Sequence, residues 1–201
     1  MSLNKSFLKG FLIVMVFLVS CKDEAVVKGD LLYEKGQFKE AIEAYDQYLS
    51  LNPTHVKSVY NKGRSYEELG QYDKALESFR RTLELDGKNV PALLSIGQYY
   101  YRDGQYDNAA FNFGKAVEID GSNSQAYFLL GRSYHLQGMM KEAMGAYNNA
   151  ISLNNDLGEA YLYRGALKIN LKQGNNACND FKTAKSLGAK DADEALSQYC
   201  K

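Results

Sequence analysis

The sequence predicts an all-α array of stacked helix pairs, and three residue columns held in step predict it. Five glycines stand 34 residues apart, at Gly29, Gly63, Gly97, Gly131 and Gly165. Five alanines keep the same step, at Ala41, Ala75, Ala109, Ala143 and Ala177. An aromatic follows each alanine by four residues, at Tyr45, Phe79, Phe113, Tyr147 and Phe181. With glycine at about 7% of average usage, five in phase arise by chance on the order of once in a million. A helix–turn–helix unit cannot bury its apolar stripe alone, so copies stack and share one core. The repeats then fall at about 22–55, 56–89, 90–123, 124–157 and 158–191, in a single domain of residues 21–201.

Each place in the repeat has a physical task. Place 8, counted from the first residue of each repeat, is always glycine, where a larger side chain on the first helix would hold the two backbones apart. Between the helices, Gly36-Gln37-Phe38, Gly70-Gln71-Tyr72 and Gly104-Gln105-Tyr106 read as turn glycines followed by a buried aromatic. Place 20 is alanine, allowing the same close approach from the second helix while keeping helix propensity. Place 24, one turn further on the same face, fills the space the small residues leave. Place 30 is aliphatic throughout: Leu51, Leu85, Ile119, Leu153 and Leu187. Pro53 and Pro91 fall between repeats or in a first helical turn, where a missing N–H costs little. Repeat five departs most, with Lys168 in an aromatic position and its turn glycine, Gly174, two residues late. Such drift suits a terminal repeat that faces solvent on one side. Residues 192–201, opened by Asp191 and carrying Ala192, Ala195, Leu196 and Tyr199, read as a short capping helix.

This pattern resembles the tetratricopeptide repeat (TPR) family over residues 22–190. The family signature has an aromatic or Leu at place 4, small residues at 8 and 20, Tyr at 11, an aromatic at 24 and often Pro at 32. Here place 11 reads Leu32, Tyr66, Tyr100, Tyr134 and Lys168, and only Pro53 holds place 32. The resemblance implies a right-handed α-solenoid of five tandem repeats with a short C-terminal cap. It also implies a concave face built from places 2, 5, 9, 12 and 13 of each first helix. Carried over, place 5 gives Val26, Tyr60, Leu94, Phe128 and Leu162, an apolar stripe. Place 9 gives Asp30, Arg64, Gln98 and Arg132, place 12 gives Tyr33, Glu67, Tyr101 and His135, and Arg102 stands at place 13. Aromatics and arginines are enriched at binding hot spots, so this face suits an extended or helical peptide with apolar anchors. Some family members clamp a C-terminal carboxylate with Lys and Asn at places 5 and 9, which no repeat here carries.

The N-terminus carries a second signal. Lys5 and Lys9 precede an apolar run from Phe11 to Val19, too short to span a bilayer, which needs about 20 residues, but suited to a secretory leader. Leu18-Val19-Ser20-Cys21 resembles the lipobox of bacterial lipoproteins. That resemblance implies removal of residues 1–20 and lipidation of Cys21, with several acyl chains giving a stable anchor. The expected location is the envelope of a bacterium, at the outer membrane on its periplasmic side or at the cell surface. Lys22-Asp23-Glu24 reads either as an acidic export tag of surface lipoproteins or as acids opening the first helix.

Lys+Arg and Asp+Glu balance at 24 each, and loss of Lys5 and Lys9 with the leader leaves a slight acidic excess. A near-neutral chain has no basic footprint for nucleic acid. With Cys21 taken by lipid, Cys178 and Cys200 remain, either a disulfide between repeat five and its cap or two small reduced thiols. His55 and His135 have no metal-ligand partner at helical spacing, and no nucleophile elbow, phosphate loop or paired-carboxylate signature is present. No catalytic residue, metal or cofactor is expected. The reading is a non-catalytic, lipid-anchored TPR adaptor that holds another envelope protein, or a peptide segment of one, in its groove. Self-association stays open. Two other readings are a subunit of an outer-membrane assembly, secretion or pilus machine, and a surface accessory that captures glycans or nutrients.

Overall fold

The computed structural model describes residues 28–200. The leader, Cys21, Asp23, Glu24 and the groove candidate Val26 lie outside the described residues. Among those described there are helices and no strand: α1 (28–34), α2 (Phe38–Leu51), α3 (Val56–Glu68), α4 (Tyr72–Leu85), α5 (Val90–Arg102), α6 (Tyr106–Ile119), α7 (Ser124–Leu136), α8 (Met140–Leu153), α9 (Gly158–Asn170), α10 (Gly174–Ser186) and α11 (Ala192–Tyr199). The all-α arrangement of tandem helix pairs expected from the sequence is the one present. The residues form two compact units, one reaching to Ala92 and the other starting at Leu93, with the division inside α5.

Within each unit the glycine and aromatic columns meet as lock and key. In the first, a methyl group added at Gly29 would stand 2.6 Å from Tyr45 Cε1, and one at Gly63 2.7 Å from Phe79 Cε1. In the second, the same additions at Gly97 and Gly165 would stand 2.5 Å from Phe113 and Phe181, and at Gly131 2.7 Å from Tyr147. All five rings are at most 1% exposed and the five alanines at most 2%. Fully burying one such ring stabilises by about 1.5–3 kcal/mol. The place-30 column, by contrast, lies outside the core at Leu51, Ile119 and Leu153, which are 41–74% exposed.

Side-chain hydrogen bonds close the starts of α3, α5 and α7, and backbone hydrogen bonds close the ends of the first helices. Asn89 Oδ1 accepts from Ala92 N at 3.1 Å and Asn123 Oδ1 from Ala126 N at 2.9 Å. His55 does the same work at the start of α3, Nδ1 accepting from Ser58 N at 3.3 Å. At the other end, Gln37 N donates to Leu32 O and Gly36 N to Tyr33 O, both at 2.9 Å, the paired bonds of a Schellman turn. The turn recurs after α3, α5, α7 and α9. Its left-handed residue is Gly36, Gly70, Gly104 and Gly138, with φ of 70° to 76°.

Two expectations are corrected here. Gly174 is not the turn residue of repeat five: it opens α10, and Lys172 takes the left-handed position with φ 60°. The hydrogen bonds of the turn are unchanged, Gln173 N to Lys168 O at 2.8 Å, so the geometry survives without its glycine. An L side chain in that region costs about 1–2 kcal/mol. Lys172→Gly should therefore stabilise the chain by roughly 0.5–1 kcal/mol, after the flexibility glycine adds to the unfolded state. The check is a higher urea midpoint at constant slope. The aromatics after the turn glycines are not buried either. Phe38 and Tyr106 are half-buried and Tyr72 is 38% exposed. They lie at the helix N-termini, where Phe38 and Tyr106 pack edge-on against Tyr33 and Tyr101, leaving one ring face to water.

Repeat five replaces aromatic packing with charge. Asp180 is 5% exposed and accepts from Arg164 Nη2 at 2.7 Å, Arg164 Nε at 2.9 Å and Lys168 Nζ at 2.6 Å. Helix α11 then covers α10, with Ala192 buried and Tyr199 beside Phe181 at 6.1 Å between centroids. A disulfide joins Cys178 to Cys200 with Cα atoms 5.7 Å apart. Closing a loop of that length contributes about 3 kcal/mol through the unfolded state.

Candidate functional site

In the first unit, the candidate face is carried by α1 and α3. Asp30 is committed to internal bonds. Its Oδ1 accepts from the Tyr45 hydroxyl at 2.7 Å and from Asn61 Nδ2 at 2.9 Å, and its Oδ2 from Lys57 Nζ at 2.7 Å. Burial works to raise its pKa, but the hydrogen bonds from Lys57, Tyr45 and Asn61 prevail and hold the carboxyl below its ordinary value. Tyr33 donates to Glu68 Oε1 at 3.3 Å. Arg64 reaches two acids: Nη2 lies 3.5 Å from Glu68 Oε1, and Nε 3.1 Å from Glu67 Oε2 at an angle unsuited to a hydrogen bond. Tyr60 is half-buried, its ring 5.5 Å from that of Phe79. On this face each named cation meets a carboxylate, with one acid in excess.

In the second unit the face is carried by α5, α7 and α9. Leu94 and Leu162 are half-buried, while Gln98 and Arg102 are exposed. Phe128 is a correction. It is 5% exposed and packs against Tyr147 and Tyr163, so it supports the face rather than offering an open contact. Its neighbour by one helical turn, Arg132, has its guanidinium carbon 4.7 Å from the ring centroids of both Tyr101 and Tyr163, and 5.8 Å from that of Phe128. Such stacking is worth about 0.5–2 kcal/mol per ring, more as water is excluded. Among the described residues Arg132 makes no ion pair, and its Nε is buried without a hydrogen bond.

Further polar groups lie on α7 itself and on the neighbouring α8 and α9. The Tyr147 hydroxyl is buried with no hydrogen-bond partner. Burial raises its pKa, with the charge of Arg132 pulling the other way, and the same two causes act on Tyr101. Burial alone lowers the pKa of His135, so its ring is neutral at pH 7. His135 Nε2 lies 3.2 Å from Asn170 Nδ2, and its ring meets Tyr147 edge-on at 6.4 Å. No group of three or more His, Cys, Asp or Glu side chains placed to hold a metal occurs among the described residues.

The structure thus gathers Tyr101, Phe128 and Tyr163 around Arg132, and sets His135 against Tyr147 and Asn170; Tyr163 and Asn170 are the two that the repeat columns did not single out. A spacing rule could have found them. Place 6 of one repeat meets place 9 of the repeat before, as Asn61 meets Asp30 and Tyr163 meets Arg132. Place 13 likewise meets place 12 of the repeat before, as Glu68 meets Tyr33 and Asn170 meets His135.

Comparison with known proteins agrees with this fold. Residues 26–90 match the family described as tetratricopeptide repeat, and residues 102–183 match the one described as anaphase-promoting complex, cyclosome, subunit 3. Among solved structures, one of MamA is 26% identical with a TM-score of 0.73, covering 85% of this chain and 97% of its own. MamA residues 41 to the end from Desulfovibrio magneticus RS-1 gives 19% identity and a TM-score of 0.76, covering 83% of this chain and 94% of that one. YrrB, titled a TPR protein with an unusual peptide-binding site, gives 19% identity and 0.73, covering 86% and 90%. At such low identities the last two show the fold alone. No curated protein sequence matches the chain.

Proposed function

We propose a scaffold function whose premise is that this chain belongs to the tetratricopeptide repeat family. It is a non-catalytic adaptor that binds an extended segment of another protein along its first helices. One observation carries this reading. In the second unit α5 and α7 present Tyr101 and Arg132, and in the first α3 presents Tyr60, all side chains of the types that dominate binding hot spots. One relative of the same fold is described as having a peptide-binding site, which shows that such an array can take a peptide.

The sequence adds a membrane tether to the proposal. The leader with Lys5 and Lys9, its apolar run and the box ending at Cys21 support lipidation there, and so a place in a bacterial envelope at the outer membrane. No described helix is long and apolar enough to cross a membrane, so in this reading acyl chains supply the attachment. The segment held in the face would belong to another envelope protein.

The test is a crosslinked pull-down of the lipidated protein from its own cells, run beside a Tyr60→Ala, Tyr101→Ala double variant. Neither tyrosine is among the rings seated against the repeat glycines, and helicity measured on the variant checks that Phe79, beside Tyr60, stays seated. Recovery of the specific partner should fall about tenfold or more, as loss of two hot-spot rings implies. Undiminished recovery at wild-type helicity would refute this face as the binding surface.

A further inference from the structure

The two arginines at place 9 make an internal comparison. Each faces a tyrosine from place 12 of the preceding repeat: Tyr33 acts electrostatically on Arg64, and Tyr101 stacks on Arg132. In repeat two, places 12 and 13 are Glu67 and Glu68, which neutralise Arg64. In repeat four the same places are His135 and Leu136, and His135 is held neutral by burial. The framework is shared and the acid is missing. Arg132 Nε and the Tyr147 hydroxyl are buried without a hydrogen bond; Arg64 Nε is too, so the two arginines differ in the acids that face them and not in that atom. A buried donor without an acceptor is costly, and Arg132 as a whole is half-buried, so a partner can still reach its guanidinium.

We propose that Arg132, stacked between Tyr101 and Tyr163 with the Tyr147 hydroxyl beside it, receives the side-chain carboxylate of an Asp or Glu in the bound partner segment. The inference rests on the scaffold reading and names the chemistry of its ligand. The incoming carboxylate supplies in repeat four what Glu67 and Glu68 supply in repeat two. Guanidinium and carboxylate pair as planar forks, and two aromatic walls fix the plane of the guanidinium in advance. An internal side chain fits better than a chain terminus for two reasons. The half-buried apolar side chains Leu94 and Leu162 lie on α5 and α9, the helices that also carry Tyr101 and Tyr163, so a segment has anchors to either side of its acid. The Lys and Asn that clamp a terminal carboxylate are absent from places 5 and 9.

Three capped tripeptides separate the possibilities: acetyl-Leu-Glu-Leu-amide, acetyl-Leu-Gln-Leu-amide, and acetyl-Leu-Gln-Leu with a free terminal carboxylate. Each is titrated into the nitrogen-15-labelled protein while the Arg132 Nε–Hε signal, assigned by its loss in Arg132→Lys, is followed by NMR. The Glu peptide should shift that signal with an affinity about tenfold above either Gln peptide. His135→Glu, which installs the acid of repeat two, should abolish the difference. Equal shifts from the Glu and Gln amides would overturn the proposal, as would stronger binding of the free-terminus peptide. The wild-type arms need no variant, so misfolding of His135→Glu cannot decide the outcome. Failure here with the double-tyrosine variant still losing its partner would remove the carboxylate and keep the groove. Loss of both would remove the scaffold reading itself.

Discussion

Phe113→Ala should lower the stability of the chain by about 3–5 kcal/mol, the range for deleting a buried aromatic from a packed core. The ring is 0% exposed, and a methyl group built on Gly97 would sit 2.5 Å from its Cε1, so no nearby space can collapse into the hole. Gly97→Ala alone overpacks the same spot and should cost about 1–3 kcal/mol. Together they should cost less than their sum, because the added methyl stands where the ring was. A double-mutant cycle by urea unfolding measures that coupling, expected at about 1 kcal/mol or more. A Phe113→Ala loss under 1 kcal/mol, or strict additivity, would mean that the glycine column is not there to seat the ring.

Asp180→Ala should cost a similar amount, about 3–5 kcal/mol, for a different reason. It strands two cations, Arg164 and Lys168, whose side chains are only 17% and 16% exposed. Adding Lys168→Tyr to Asp180→Ala should recover part of the loss, since it removes one stranded charge and supplies the tyrosine that repeats two to four carry at place 11. The comparison is again by urea midpoint. If Asp180→Ala alone moves the midpoint by less than about 1 kcal/mol, the cluster contributes little net stability, as exposed pairs do.

What could be read from the chain follows from which forces are periodic. Gly97 and Phe113 repeat because every helix pair must solve the same steric problem, so the glycine, alanine and aromatic columns, the turns of the first four repeats and the cap were legible. The ion cluster was not. Lys168 and Asp180 are twelve residues apart on different helices, and an isolated aspartate on an amphipathic helix reads as a solvated acid. Lys172 was missed because the search was for glycine, whereas the turn is defined by its hydrogen bonds, which any residue can complete at a cost. The candidate face was half legible. The columns named Tyr101, Arg132 and His135, but they also named Asp30 and Phe128. Asp30 spends its oxygens on Tyr45, Asn61 and Lys57, and Phe128 turns inward. Neighbour relations between successive repeats, which decide who faces whom, are invisible until one pair is known.

The bond between Cys178 and Cys200 also changes how the chain comes apart. In an open stack the last helix can peel away at little cost and the next follow, so the end frays one step at a time. Here α11 cannot leave without tugging on α10, and α10 carries the buried Asp180 and Phe181. The two helices must let go together or stay. A reducing surrounding would turn that clasped end into two separate losses, giving the C-terminal end a sensitivity to oxidation state.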